Sequence, residues 1–187
     1  MLSFSWVDIL MVAIIAMSVY FGKKSHLLAE LFKLFGIFLA TFITIHYNPA
    51  LTRFFSAQHI FPESFQAVMA FCSLLFLIML IFSLLSEGWL MILKVEFEET
   101  INHWGAIILS FLRGYFLCSL IFLALLLIGN EGITQSTKHS VTSVLVKNTA
   151  VGIYKSFYYG FVRVIFPKEV INEQMIALIA TDKKENK

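Results

Sequence analysis

Arg113 is the residue whose type and position most directly imply chemistry. It lies within residues 104–129, a run of 26 residues that carries no other charge. The 15 residues from Gly114 to Ile128 are fewer than the roughly 20 that a helix needs to cross a bilayer core, so a crossing helix would have to include the arginine. A cation at that depth costs at least about 2.5–3.5 kcal/mol on insertion scales. Arg113 should therefore have a partner, a water-filled cavity or a route to the membrane surface.

Three other charged side chains in apolar segments are candidates for a polar centre with Arg113. Asp8 or Glu30 could supply a carboxylate across the helix bundle, and such a centre could relay protons or hold an anionic group. Glu30 and Lys33 are three residues apart and share one helical face, so they could instead pair with each other. In a third interpretation Arg113 extends its long side chain to the lipid headgroups. The sequence leaves all three interpretations open.

Small side chains recur at every fourth position in two apolar segments, which places them on one face of each predicted helix. Helices gain no hydrophobic free energy by contact within lipid, and they associate through close backbone approach at small residues. We therefore predict that both faces are buried contacts. The residues are Gly36, Ala40 and Thr44 in one segment and Ala106, Ser110, Gly114 and Cys118 in the other.

The composition is that of an integral membrane protein. Of the 187 residues, 59% are hydrophobic and only 14% are charged, against roughly 25% charged residues in soluble domains. The mean hydropathy is +0.83. A net charge of +2, with 14 scattered Lys and Arg residues, is too small for a nucleic-acid-binding surface. We expect the lipid bilayer, and no nucleic acid, among the partners.

The sequence contains no motif for catalysis, for a metal or for a cofactor. It has no nucleophile elbow, HExxH motif, P-loop or dinucleotide fingerprint. None of the five histidines is four residues from another, the spacing that would suggest a metal site on a helix. Cys72 and Cys118 lie in apolar runs and are interpreted as packing residues. We expect a protein that is not an enzyme and binds no cofactor.

Four apolar segments, residues 2–21, 27–47, 65–93 and 104–128, are long enough to cross a membrane. The first two also fit re-entrant helices, because exclusion of Asp8 and Lys33 leaves 14 uncharged residues in each, 9–22 and 34–47. Asn48-Pro49 is expected to end the second helix. The predicted fold is an all-α polytopic membrane protein with four transmembrane helices within residues 1–129.

Residues 130–187 form the second predicted region, an amphipathic segment followed by a polar tail. A helix over residues 148–166 would separate an apolar face from a more polar one. This pattern predicts a helix in the membrane interface, with its basic face toward headgroups. The alternative is a helix packed on the bundle or on another copy. The apolar face would hold Ala150, Tyr154, Phe157, Tyr158, Phe161 and Ile165, and the polar face Asn148, Lys155, Tyr159 and Arg163.

Several short motifs, in this order, resemble those of the CvpA family, the colicin V production proteins of bacterial inner membranes. They begin with Trp6-Val7-Asp8, Gly22-Lys23-Lys24, Glu30 and a Leu34/Gly36 run. The fourth segment adds Asn102, Gly105 and Arg113-Gly114, and the C-terminal region adds Ser143-Val144-Leu145 and a helix ending at Pro167. The chain departs from the family pattern at Ser25, where a second glycine is usual, and at Asn102, where an acidic residue is common.

The resemblance implies a four-span inner-membrane protein associated with toxin production or export and with envelope homeostasis, without a defined reaction. It marks Asp8, Gly22, Glu30, Gly105 and Arg113, together with Gly114, as important positions, and we assign the glycines to helix packing. One hypothesis is an accessory or scaffold that docks a membrane-protein partner or forms homo-oligomers. The other is a subunit of an oligomeric transporter or channel that uses the polar centre.

Overall fold

The computed structural model describes residues 6–59, 61–92, 98–128, 149–162 and 171. These residues form five α-helices: α1 (Trp6–Gly22), α2 (Leu27–Ala57), α3 (Glu63–Ile92), α4 (Glu99–Leu127) and α5 (Thr149–Phe157). A π-helical turn, Tyr158–Val162, continues α5. The described part of the chain contains no β-strand. The all-α prediction is confirmed.

Three of these helices are long and apolar enough to cross a membrane. They are α2, α3 and α4, while α1 is a shorter apolar helix of 17 residues. At 1.5 Å per residue α1 is about 26 Å long, slightly less than the roughly 30 Å hydrocarbon core of a bilayer. The structure therefore supports a polytopic membrane protein with three full-length candidate spans, and the crossing by α1 stays a prediction.

The first four helices alternate in direction. Ser18 and Met11 of α1 contact Ser110 and Cys118 of α4 respectively, so these two helices are antiparallel. The helices α2 and α4 run parallel, because Leu27 at the start of α2 contacts Asn102 near the start of α4, and further along the Phe38 and Phe116 rings lie 5.0 Å apart. The helix α3 returns antiparallel to α2, its main neighbour. This arrangement gathers α1, α2 and α4 around Arg113.

The second helix continues through Pro49 to Ala57, so the prediction that Asn48-Pro49 ends it is wrong. Proline removes one backbone donor, but helices in membranes tolerate it where side chains and local adjustments satisfy the freed backbone groups. The helix hydrogen bond that Pro49 cannot donate is the one to the carbonyl of Ile45, four residues earlier. Just after the proline, the Thr52 hydroxyl lies 2.9 Å from the Asn48 carbonyl oxygen and 3.0 Å from its side-chain oxygen, and it donates to them. The extension makes α2 long enough to span the bilayer with Glu30 near one end.

The amphipathic helix α5 packs on the bundle. This arrangement is the alternative that the sequence analysis gave to a helix lying in the membrane interface. Ala150, Tyr154 and Tyr158 are buried against α2 and α4, whereas Lys155 and Tyr159 are exposed. The Ser119 hydroxyl accepts a 2.7 Å hydrogen bond from the backbone N–H of Ala150. The apolar face is thus used for packing over residues 149–158. The side chain of Phe161 and the predicted part beyond residue 162 lie outside what the structure describes.

Candidate functional site

Arg113 is the fifteenth of the 29 residues of α4 and forms an ion pair with Glu30 of α2. Its Nη1 atom lies 3.0 Å from one carboxylate oxygen of Glu30 and 3.4 Å from the other. The side chains are 11% and 1% exposed, respectively. The guanidinium is therefore held inside the bundle and does not extend to the surrounding lipid.

Glu30 contacts a second cation, Lys33, one turn along α2. The Lys33 ammonium lies 3.4 Å from the Glu30 carboxylate and 3.4 Å from the hydroxyl of Ser25 in the α1–α2 turn. Lys33 is the most accessible of the three charged groups, with 22% of its side chain exposed. Glu30 thus forms both of the ion pairs that the sequence suggested as alternatives, one with Lys33 and one with Arg113.

Ser18 brings α1 to the same cluster. Its hydroxyl lies 3.4 Å from both Nε and Nη2 of Arg113 and donates a 2.9 Å hydrogen bond to the carbonyl of Ser110. The long contacts with Arg113 are weaker than its ion pair with Glu30. We call Ser18, Glu30, Lys33 and Arg113 the polar centre, and its contacts join α1, α2 and α4.

Asp8, the other candidate carboxylate, lies elsewhere in the bundle. It is buried near the start of α1, ten residues before Ser18. Ten residues of α-helix extend about 15 Å, which is beyond the reach of the guanidinium that contacts Ser18. Glu30, and not Asp8, is therefore the carboxylate that pairs directly with Arg113.

The small-residue face of α4 lies against α1. Ala106, Ser110, Gly114 and Cys118 are all buried. A Cβ atom on Gly114 would lie 2.9 Å from the Ser18 Cβ and 3.2 Å from the Ile15 Cα. The backbones of α1 and α4 can approach this closely only because glycine occupies the position. This approach brings Ser18 within reach of Arg113.

Two other glycines predicted to mediate helix packing are also close to neighbouring side chains. A Cβ atom on Gly22 would lie 1.7 Å from the Ser110 hydroxyl oxygen, and one on Gly105 would lie 2.5 Å from a methyl carbon of Leu27. The methyl group of Leu27 can move aside, whereas the Ser110 Cβ, 2.3 Å from the added atom, is fixed by the backbone. Gly22 is therefore the stricter requirement.

The second small-residue face, on α2, is buried as well. Gly36, Ala40 and Thr44 all lie within the bundle. A Cβ atom on Gly36 would come within 2.6 Å of the Phe82 side chain of α3. This face therefore joins α2 to α3, so that α2 is held on one side by α3 and on another by the polar centre.

Two contributors to the site were not identified from the sequence, namely the hydroxyl of Ser18 and the role of Asn102. The Asn102 side-chain oxygen accepts a 2.7 Å hydrogen bond from the backbone N–H of Leu27, the first residue of α2. That N–H has no partner within its own helix, so Asn102 caps α2 from α4. Only the spatial arrangement of the helices reveals either contact.

The described residues contain no group of three or more His, Cys, Asp or Glu side chains that could hold a metal ion. The polar centre itself offers charge pairing and hydrogen bonding. Its two cations, one carboxylate and one hydroxyl can fix three helices, and the cations can also present positive charge to an anion.

Comparison with known proteins identifies one family. The family model described as "Colicin V production protein" matches residues 7–151. This match covers α1 to α4, all residues of the polar centre and the start of α5. No curated protein and no solved structure matches the chain.

Proposed function

We propose that this chain, which belongs to the colicin V production protein family, is a non-enzymatic accessory or scaffold protein of the bacterial inner membrane. In this role it crosses the membrane several times, supports the production or export of a colicin V-type toxin and contributes to envelope homeostasis. A partner complex, or further copies of the chain, would assemble on its bundle.

The observation that most supports a scaffold is that the charged side chains inside the bundle pair with one another and join helices. Arg113 contacts Ser18 of α1 and Glu30 of α2 and is itself on α4, so one side chain links three helices. Charged groups that pair within a bundle fix its geometry, and removal of one partner is strongly destabilising. A rigid bundle is what a docking partner requires.

The position of α3 also fits this role. It packs mainly against α2 and leaves large apolar side chains exposed along its length. Phe76 is 69% exposed and Leu84 is 62% exposed. Lipid or a membrane-embedded partner can cover such a surface, because both are apolar.

Colicin V secretion from cells that lack the native protein tests the proposal. Cells complemented with the wild-type chain should regain secretion, and a photo-crosslinking residue at position 76 or 84 should attach to a membrane-embedded component of the export system or to a second copy. The same residue at the buried position 71 is the matched control, because Phe71 is inaccessible within the bundle. Restored secretion without any crosslink, together with a strictly monomeric protein in mild detergent, would contradict the scaffold.

A second candidate function, a subunit of an oligomeric transporter or channel, has its own support. The inner side of α2 carries polar side chains along the bundle: Glu30, Thr41, Thr44 and Asn48 are all buried. Polar and charged groups at such positions are typical of solute or ion pathways.

For this function Arg113→Gln should abolish solute flux in vesicles while membrane insertion is retained. Equal loss of flux and of folded protein would instead indicate a purely structural arginine.

A further inference from the structure

Two cations share one carboxylate in the polar centre, which leaves an excess of positive charge. Arg113 and Lys33 both contact Glu30, and no other acidic side chain contacts them within the described residues. The local sum is therefore two positive charges and one negative charge. An uncompensated charge in surroundings of low polarity is costly, so such a site favours an additional anion.

Other charged groups near the site do not remove this excess. On α1, Asp8 is about 15 Å from Ser18 along the helix axis. The turn between α1 and α2 adds only exposed cations, Lys23 and Lys24, and the start of α4 has Glu99 on its exposed surface. Glu87 of α3 is exposed as well. None of these side chains contacts Lys33 or Arg113 in the described part of the chain.

Hydrogen-bonding capacity also remains in the polar centre. Arg113 carries five N–H donors and Lys33 carries three, yet only the Arg113–Glu30 contact is as short as 3.0 Å. The other contacts made by these two cations are all 3.4 Å long. One turn before Arg113, the buried hydroxyl of Ser110, which lies beside Gly22, has no hydrogen-bond partner, and one carboxylate oxygen of Glu30 has none besides its ion pair with Arg113. An oxyanion with several acceptor oxygens can engage donors that the protein itself satisfies poorly.

We propose that the polar centre binds a phosphate-type oxyanion between Lys33 and Arg113, supplied either as free phosphate or as the phosphate of a lipid headgroup. A guanidinium and an ammonium are the cationic side-chain groups that most often recognise phosphate in proteins. The anion would enter from the end of the bundle at the α1–α2 turn, where Lys33 is 22% exposed and contacts Ser25. The proposal is independent of the accessory role in toxin production.

Thermal unfolding of the full-length protein in neutral detergent tests this site. Inorganic phosphate, added at constant ionic strength against sodium chloride, should raise the Tm of the wild-type protein in a saturable manner, because a ligand that binds only the folded state stabilises it. Lys33→Gln should weaken the apparent phosphate affinity at least tenfold, and Lys33→Arg should largely restore it. Lys23→Gln is the matched control, because it removes an exposed cation of the adjacent turn.

A second arm identifies the source of the phosphate. Phosphatidylglycerol should stabilise the wild-type protein more than a diacylglycerol with the same acyl chains if the ligand is a lipid headgroup, and inorganic phosphate alone should suffice if the ligand is free. Bound ligand should also protect Lys33, but not Lys23, from an amine-reactive reagent in the wild-type protein, as read by mass spectrometry. This measurement needs no variant.

The proposal fails if neither inorganic phosphate nor phosphatidylglycerol raises the Tm of the wild-type protein more than it raises the Tm of the Lys33→Gln variant. It also fails if chloride is as effective as phosphate, if Lys23→Gln loses as much affinity as Lys33→Gln, or if Lys33 is not protected. If the chain restores colicin V secretion but shows none of these phosphate effects, the phosphate site is refuted and the accessory role stands. The two hypotheses can therefore fail separately.

Discussion

The carboxylate of Glu30 in α2 lies 3.0 Å from the guanidinium of Arg113 in α4, although 83 residues separate them in the sequence. Both side chains are almost completely buried. The contact links the first turn of α2 to the middle of α4. It is the relationship on which the arrangement of α1, α2 and α4 depends.

Glu30 should matter more for stability than Lys33. Glu30→Gln leaves the buried Arg113 without a carboxylate, and breaking a buried pair in this way typically costs about 3–5 kcal/mol. Lys33→Gln retains the Glu30–Arg113 pair and removes a longer, more accessible contact, so its effect should be below about 1 kcal/mol. Thermal unfolding of both variants in detergent measures the order. If the two variants lost equal unfolding free energy, the prediction would be contradicted, because the ion pair of Glu30 with Arg113 would then add no stability beyond its contact with Lys33.

Gly22→Ala should separate α1 from α4. The added Cβ would lie 1.7 Å from the Ser110 hydroxyl oxygen and 2.3 Å from the Ser110 Cβ. Overpacking of this kind costs about 1–3 kcal/mol. Gly88→Ala is the control, because a Cβ there meets nothing within 4 Å. Addition of Ser110→Gly to Gly22→Ala should recover part of the loss, whereas a double variant no more stable than Gly22→Ala alone would refute the contact.

Tyr154 and Tyr159 provide a matched pair for the docking of α5. Tyr154 is fully buried, and its hydroxyl is 3.2 Å from Nδ1 of His46 in α2, whereas Tyr159 is 54% exposed. Tyr154→Ala should cost about 3 kcal/mol, in the range of other buried aromatic truncations, and should increase proteolysis within residues 149–162. Tyr159→Ala should change neither property by a comparable amount. A similar response of the two variants would indicate that α5 is not docked on the bundle.

The all-α fold and the small-residue faces could be predicted from the sequence because the period of a helix is visible in one segment at a time. Ala106, Ser110 and Gly114 share a face whatever the rest of the chain does. Long apolar runs likewise identify helices that can cross a bilayer. These properties require no knowledge of which helices are neighbours.

The choice between Glu30 and Asp8 could not be predicted, because it depends on the register between helices. The close approach of α1 and α4 at Gly114 places Ser18, and not Asp8, beside Arg113. No pattern within a single segment reports that register. The same limitation hid the cap that Asn102 provides to the first turn of α2.

The error at Asn48-Pro49 and the two interpretations of residues 148–166 have a common cause, namely that packing can override local preference. Asn48-Pro49 has the local character of a helix end, yet α2 continues because its surroundings hold it as a helix. The amphipathic pattern over residues 148–166 is equally compatible with a lipid surface and with a bundle surface. Contacts with α2 and α4 show that α5 packs on the bundle, and its position relative to the lipid surface stays a prediction.

The most direct test of the polar centre is a double-mutant cycle on Glu30 and Arg113 in bilayers of defined composition. Glu30→Gln and Arg113→Gln should each destabilise the bundle strongly. The double variant should be less destabilised than the sum of the two, by an interaction free energy of at least about 1.5 kcal/mol, because groups in direct contact couple. Additive effects, within the 0.3–0.5 kcal/mol that is usual for independent sites, would contradict the pairing of Arg113 with Glu30.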